Sequence, residues 1–251
     1  YGGYIDNVGY YWAPNDYTDY LISGNLKEFS SLVINVVTNY ALRYWIIGAI
    51  SGRYSISANK EDLKNIWELN YRHYQNILPD ESMKLSGRGS IVSEKTFFKF
   101  VSEDTVELKY QQVSSNMSLT KRFHRINANS SLKWNRSHNF RTNKIIHDLP
   151  SFSFSLNQRP LIPDNKKKST NINDKEEKEK WYHSISYSYS FLTNRKYSFK
   201  KKSSRKDSLF NFIGMNHSIP VIAPFKLFRW FNLSPNFSFS QSFFNAYIGN
   251  I

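Results

Sequence analysis

Three observations predict an all-β chain, an antiparallel segment of a transmembrane β-barrel. Side chains alternate between apolar and small polar types at a period of two. The alternating runs are long, and most charges collect in the connections between them. A membrane helix is not the alternative. It needs ~20 mostly apolar residues in a row, and the most apolar stretch, Tyr40 to Ile50, is too short and contains Arg43.

Strand signals divide the chain into about twelve segments, an incomplete barrel. The first four span 3–13, 17–27, 31–40 and 43–57, with aromatic residues near their ends: Tyr10-Tyr11-Trp12, Tyr17 and Tyr20, Tyr44-Trp45. The fifth, 64–75, alternates Trp67, Leu69 and Tyr71 with Glu68, Asn70 and Arg72. The sixth is 82–92. In the seventh, 105–122, Val106, Leu108 and Tyr110 alternate with Glu107, Lys109 and Gln111. The eighth, 125–137, sets Ala128, Leu132 and Trp134 against Asn129, Ser131 and Lys133. The ninth, 144–157, sets Phe152, Phe154 and Leu156 against serines. The tenth, 181–195, has Trp181, His183, Ile185, Tyr187, Tyr189 and Phe191 on one face and Ser184, Ser186, Ser188 and Ser190 on the other. The last two are 209–222 and 232–244, where Leu233, Phe237, Phe239 and Phe243 alternate with serine and asparagine. Helical signal is weak, at most a turn or two over Glu94 to Glu103. Pro79-Asp80-Glu81 predicts a turn.

The connections divide into short ones, such as Pro14-Asn15-Asp16, Glu28 to Ser30 and Phe123-His124, and long polar ones at 159–180 and 196–207. Outer-membrane barrels show this contrast between periplasmic turns and external loops. On that reading the Tyr/Phe/Leu/Ile face meets lipid. The serine face, with Ser184, Ser186, Ser188, Ser190 and Lys133, lines a wet lumen. A soluble sandwich with one buried and one solvated face gives the same alternation. Aromatics near strand ends fit a headgroup girdle, or an ordinary core.

The net charge is +14. Arg195 to Asp207 carries seven cations and one anion, so Lys200, Lys201, Lys202, Arg205 and Lys206 form a candidate phosphate-attracting loop. A solvated loop without a ligand is the plain alternative. A soluble basic β protein binding nucleic acid would interleave cations with stacking aromatics. Here the aromatics alternate with serine instead. No cysteine is present, so thiol chemistry and disulfides are excluded. The six histidines are scattered without metal-ligand spacing, and no phosphate-binding loop or nucleophile elbow occurs. No catalytic, metal or cofactor site is predicted, and no enzyme. The chain opens Tyr-Gly-Gly-Tyr without a leader, which predicts a piece of a longer protein.

The opening stretch Gly2 to Asp19 resembles the first barrel hairpin of the LptD family of lipopolysaccharide-assembly outer-membrane proteins, in particular its divergent Bacteroidetes-like branch. Leu149 to Asn157, Trp181 to Tyr189, His217 to Pro220 and Phe225 to Pro235 are similar to later segments in the same order. The resemblance implies the following expectations. Residues 1–251 form the N-terminal part of the outer-membrane barrel, without the periplasmic jellyroll and the remaining strands. The function is insertion of lipopolysaccharide into the outer leaflet, with an LptE-like plug lipoprotein and a periplasmic Lpt bridge as partners and no nucleic acid. A general porin or receptor barrel is the alternative. Relatives loosen their seam with prolines in early strands, so Gly3, Val8, Gly9 and Pro14 make a candidate lateral-gate hairpin, with a plain turn as the other reading of Pro14. Relatives also carry inter-domain disulfides, and this chain departs from them there.

Overall fold

The computed structural model describes residues 3–27, 31–57, 65–93, 112–162, 181–200, 208–227 and 230–250. Twelve strands pair in chain order into one antiparallel sheet. They are β1 (Tyr4–Asn15), β2 (Thr18–Lys27), β3 (Ser31–Leu42), β4 (Ile46–Ser57), β5 (Asn65–Asn76), β6 (Met83–Val92), β7 (Gln112–Phe123), β8 (Ala128–Asn139), β9 (Lys144–Pro160), β10 (Ser186–Lys200), β11 (Ser208–Ile222) and β14 (Asn236–Asn250). Between β11 and β14 a small hairpin, β12 (Phe225–Leu227) with β13 (Phe231–Leu233), stands apart. Among the described residues β1 and β14 do not pair, so the sheet is open, as part of a barrel is. The predicted all-β antiparallel class holds, and the main sheet has the expected twelve strands, with the β12–β13 hairpin in addition.

The period-two pattern survives the register. Cross-strand partners share a face, so one face can be followed from β1 to β14. Trp12, Ile22, Val36, Ile50, Leu69, Ile91, Leu119, Leu132, Phe152, Met215 and Phe243 lie on one side, here the apolar face. Ser190 is in register with Ser155 on β9 and Ser218 on β11, and Ser218 with Ser240 on β14, on the other, polar face. The sheet is a single layer. Among the described residues only Ile66, Val113, Ala128 and Phe140 are buried hydrophobics, whereas Ile22 is 51% exposed, Met215 45% and Phe243 55%. A soluble sandwich would cover this face with a second sheet, about 10 Å away. The described residues supply none.

Turns occur where local chemistry favours them. The Asn15 side-chain oxygen accepts the Tyr17 and Thr18 amides at 2.8 and 2.9 Å and closes the β1–β2 hairpin. Asn127 and Asn143 adopt positive φ in the β7–β8 and β8–β9 turns, which asparagine tolerates. Around Asp80 the Ser82 amide donates to the carboxylate at 3.2 Å. Hydrogen bonding from the Ser82 hydroxyl and then its amide holds the exposed Asp80 carboxyl below its ordinary pKa.

Several expectations change. Trp181–Ser184 is a 3-10 turn, not the start of a strand. Both neighbours of β10 run out at this level, because Ser186 already faces Pro160 on β9 and Ile222 on β11. The Ser184 hydroxyl instead donates to the Pro224 carbonyl at 2.7 Å. Residues 196–200 belong to β10, not to a loop. They pair with Lys144–Asp148 and Ser208–Phe212, and Lys196 lies opposite Asp148. Pro14 lies in β1, and the hairpin turn falls on Asp16-Tyr17. Arg43 to Trp45 are a turn rather than strand. Leu233 ends β13 and does not share a strand with Phe237. The connections after β9 and after β10 leave β10 from opposite ends, so they cannot both be external. The expected strand start at 105–111 and the helical turns at 94–103 lie outside the described residues.

Candidate functional site

The described residues form a single-layer sheet, which offers two faces and two edges as the surfaces through which it can act. The polar face is made of small hydroxyl and amide side chains joined across strands. Ser86 and Ser118 hydroxyls are 2.8 Å apart, and Ser131 and Ser153 are 2.9 Å apart. Such groups satisfy one another and still accept water, so the surface is wettable without strong charge. Lys133 stands among them, in register with Ser118 and Ser151. Ser186, Ser188 and Ser190 occupy alternate positions of β10 on this face, and Ser186 accepts the Gln158 amide at 2.6 Å. Ser184, grouped with them from sequence, is not on a strand.

Cations interrupt the neutral face at intervals. Near the end that carries the β1–β2 turn, a recess of ≈ 410 Å3 is lined on this face by Lys84 and Arg122 beside Ser131, Ser153 and Ser155, while Lys121, in register with Met83 and Ser130, belongs to the face of Leu119. There the Lys121 ammonium donates to the Ser82 hydroxyl at 2.8 Å. Lys84 pairs with Glu81 at 3.2 Å. Further along, Arg72 lies directly opposite Arg88. Arg72 was legible as a polar-face cation. Arg88 was missed, although its alternation in Ser86-Gly87-Arg88-Gly89-Ser90 marks the same face. Beside β1 the polar face turns locally apolar, with Tyr11, Leu21 and Val37 in one row.

The apolar face carries aromatics at two levels. Trp12 stacks on Tyr20 at 5.4 Å near the β1–β2 turn, and Tyr187 begins β10 at the same end. At the other end Tyr54 faces Trp67, and Tyr197 is in register with His147. Tyr187 and Tyr197 are ten positions apart on β10. At ~3.4 Å per residue and a tilt of ~40°, that is about 26 Å of height. The apolar band of an outer-membrane barrel is ~25 Å tall between its aromatic girdles. Packing at the β1–β2 turn end is close. Tyr40 lies over Gly48, where a Cβ would collide with its ring, and the Tyr40 hydroxyl is 2.8 Å from His73 Nδ1.

The edge strand β1 is irregular. Its register with β2 shifts between Ile5 and Val8 and again between Trp12 and Asn15. The first shift places Asn7 at φ 55°, with its amide on the Asn25 side-chain oxygen at 2.9 Å. The second contains Pro14, whose missing N–H suits a bulge. Gly9 lies between the two. A Cβ there would meet the Ile22 carbonyl oxygen at 2.6 Å, so β1 can approach β2 only with glycine. Gly3 precedes β1, and Val8 shares the apolar face with Tyr10. Of the basic run, Lys200 ends β10. Lys201, Lys202, Arg205 and Lys206 lie outside the described residues.

Among the described residues no group of histidine, cysteine and carboxylates is placed to hold a metal. No helix there is long and apolar enough to cross a membrane, which leaves crossing by strands untouched. The sequence matches the family LptD_2, described as LptD protein, over residues 1–250. The chain belongs to the LptD family. LptD proteins reside in the outer membrane, act in lipopolysaccharide assembly with lipopolysaccharide and LptE as partners, and are transporters rather than enzymes. No curated protein matches the chain.

Proposed function

We propose that this chain is the N-terminal part of the LptD barrel wall and that lipopolysaccharide passes along its polar face to leave beside β1 for the outer leaflet. The carrying observation is the single-layer sheet whose two faces differ in chemistry from β5 to β14, with the polar face turning apolar towards β1. A lipid with an anionic head and apolar tails needs a wet path for the head and lateral access to hydrocarbon for the tails. The serine and asparagine face supplies the first. The second needs a strand pairing that opens, and β1 is an edge strand with two bulges. Gly3, Val8, Gly9 and Pro14 all belong to this hairpin and form the candidate gate. An LptE-like plug would occupy the lumen, and a periplasmic Lpt bridge would deliver the lipid. Lys200, Lys201, Lys202, Arg205 and Lys206 would attract headgroup phosphate at the β10–β11 connection.

A porin reading explains the wet face but not the irregular first strand. The test is a crosslink in the full-length protein between a cysteine at Val8 and one on the final barrel strand. The chain has no native cysteine to interfere. Export should stop while the barrel stays folded. Unchanged export under a complete crosslink would place the exit elsewhere.

A further inference from the structure

We infer that Arg72 and Arg88 form an anion subsite on the polar face that binds the phosphate of a lipid headgroup. The inference rests on the reading of that face as the lipid's path, and it adds the residues and the chemistry. The two arginines are direct cross-strand partners on β5 and β6, and both are exposed. Directly opposed side chains have Cβ atoms ~5 Å apart, and like charges so placed repel. Water and salt screen an exposed pair in part, and an anion bound between the two would remove the rest of the repulsion.

Nothing among the described residues offsets it. On the polar face the surrounding positions are Ala49, Asn70, Ser86, Ser90 and Asn116, all uncharged. Along the same row the first carboxylates are Asp19 on β2 and Asp148 on β9, three strands away on either side. At ~4.8 Å per strand that is about 14 Å, beyond the ~8 Å screening length of physiological salt. Asp19 is moreover held by the Asn39 amide at 2.7 Å, and Asp148 faces Lys196. Glu68, on the same face of β5, lies opposite Arg53 and accepts the Ser90 hydroxyl at 3.3 Å. Among the described residues neither Arg72 nor Arg88 has a hydrogen bond or ion pair from its guanidinium.

The ligand chemistry follows. Two guanidinium groups carried at directly opposed positions can turn their N–H forks to the oxygens of one phosphate. Asn70, Ser90 and Asn116 around them add neutral donors for a sugar. Lys133 stands one register step nearer the β1–β2 turn end, and Lys84 and Arg122 beyond it at the 410 Å3 recess. The next cation along the path, Lys133, lies two strands and one register step from Arg88, about 12 Å away.

The experiment places a photoreactive benzoylphenylalanine at Asn116 in the full-length protein, with a second probe at Ser190 on the same face. Light should give a lipopolysaccharide adduct at both positions. Arg88→Glu should cut the Asn116 adduct about tenfold or more, the scale of one lost charge-assisted contact, and leave the Ser190 adduct unchanged. Folding should survive, because the introduced carboxylate would sit opposite Arg72 as an ion pair, and heat-modified gel migration reads this directly. Arg72→Lys with Arg88→Lys, which keeps the charge but loses the forks, should cut the Asn116 adduct less than Arg88→Glu does. With the purified protein, lipid A should crosslink at Asn116 and its dephosphorylated form should not. An undiminished Asn116 adduct in folded Arg88→Glu, or equal crosslinking of both lipid A forms, overturns the subsite. Loss at Asn116 with Ser190 retained supports it. Absence of adduct at both positions in the unaltered protein sinks the path reading itself.

Discussion

Leu132 and Ser131 are neighbours in the middle of β8 and point to opposite faces. Leu132 is 44% exposed between Leu119 and Phe152, and Ser131 touches Ser153 at 2.9 Å. Arginine at a mid-membrane, lipid-facing site costs ~2–4 kcal/mol, so Leu132→Arg should shift the folding equilibrium roughly 30- to 700-fold. Ser131→Arg exchanges one hydroxyl contact for a solvated cation and should cost ~1 kcal/mol, about fivefold. Urea titration of the full-length protein in lipid vesicles, read by heat-modified gel migration, separates these values. Equal costs, or a larger one at Ser131, would refute the assignment of faces. The pair Tyr187 and Ser188 makes a weaker test than the sequence suggests. Tyr187 is only the second residue of β10, near the headgroup level, where the cost falls to ~0–1 kcal/mol.

Gly9→Val should push β1 off β2, because the new Cβ would meet the Ile22 carbonyl oxygen at 2.6 Å. A loss of ~1–3 kcal/mol is expected by urea titration, and no loss would mean that β1 and β2 are farther apart. The lowered Asp80 pKa contributes stability above the ordinary carboxylate range, and the contribution is lost as pH falls through the folded value. The Ser82 amide should therefore lose protection from exchange, relative to Asp80→Asn, as the medium is acidified below pH ~4. Cysteines introduced singly at Ile162 and Lys200 should be labelled from opposite sides of the membrane, since they lie at opposite ends of β10. Labelling of both in intact cells would mean that β10 does not cross.

The sheet was legible because its two faces differ at nearly every position of the central strands. Ser/Phe alternation in Phe152 to Leu156 needs no tertiary context to be read. Where the reading failed, pairing or charge had misled it. The serine-aromatic pattern continues back through Ser184 to Trp181, but a strand needs neighbours, and β9 and β11 have run out there. In Lys196 to Lys200 the cations read as loop. The residues between them, Tyr197, Ser198 and Phe199, keep the period of two, and Asp148 opposite Lys196 offsets one charge. The Arg72–Arg88 pair was invisible for a different reason. Each arginine is an ordinary polar-face residue, and only the β5–β6 register puts them side by side.

The two edges of the sheet are not equivalent. All fifteen residues of β14 are in unbroken register with β11. β1 has twelve residues but only eight in register with β2. An unpaired edge is not tolerated in hydrocarbon, so each must be covered by a further strand in the membrane. β14 offers a straight row of amides and carbonyls at regular spacing, a good template for permanent addition. On β1 the bulges at Asp6-Asn7 and Ala13-Pro14 redirect the backbone, and the proline removes one donor outright. A strand laid against β1 therefore makes fewer ladder bonds. Each absent bond forgoes ~0.5–1.5 kcal/mol, and the seam that forms there is the easier one to part. A lipid that must leave sideways would use the edge whose closure is least complete, and in this chain that edge is β1.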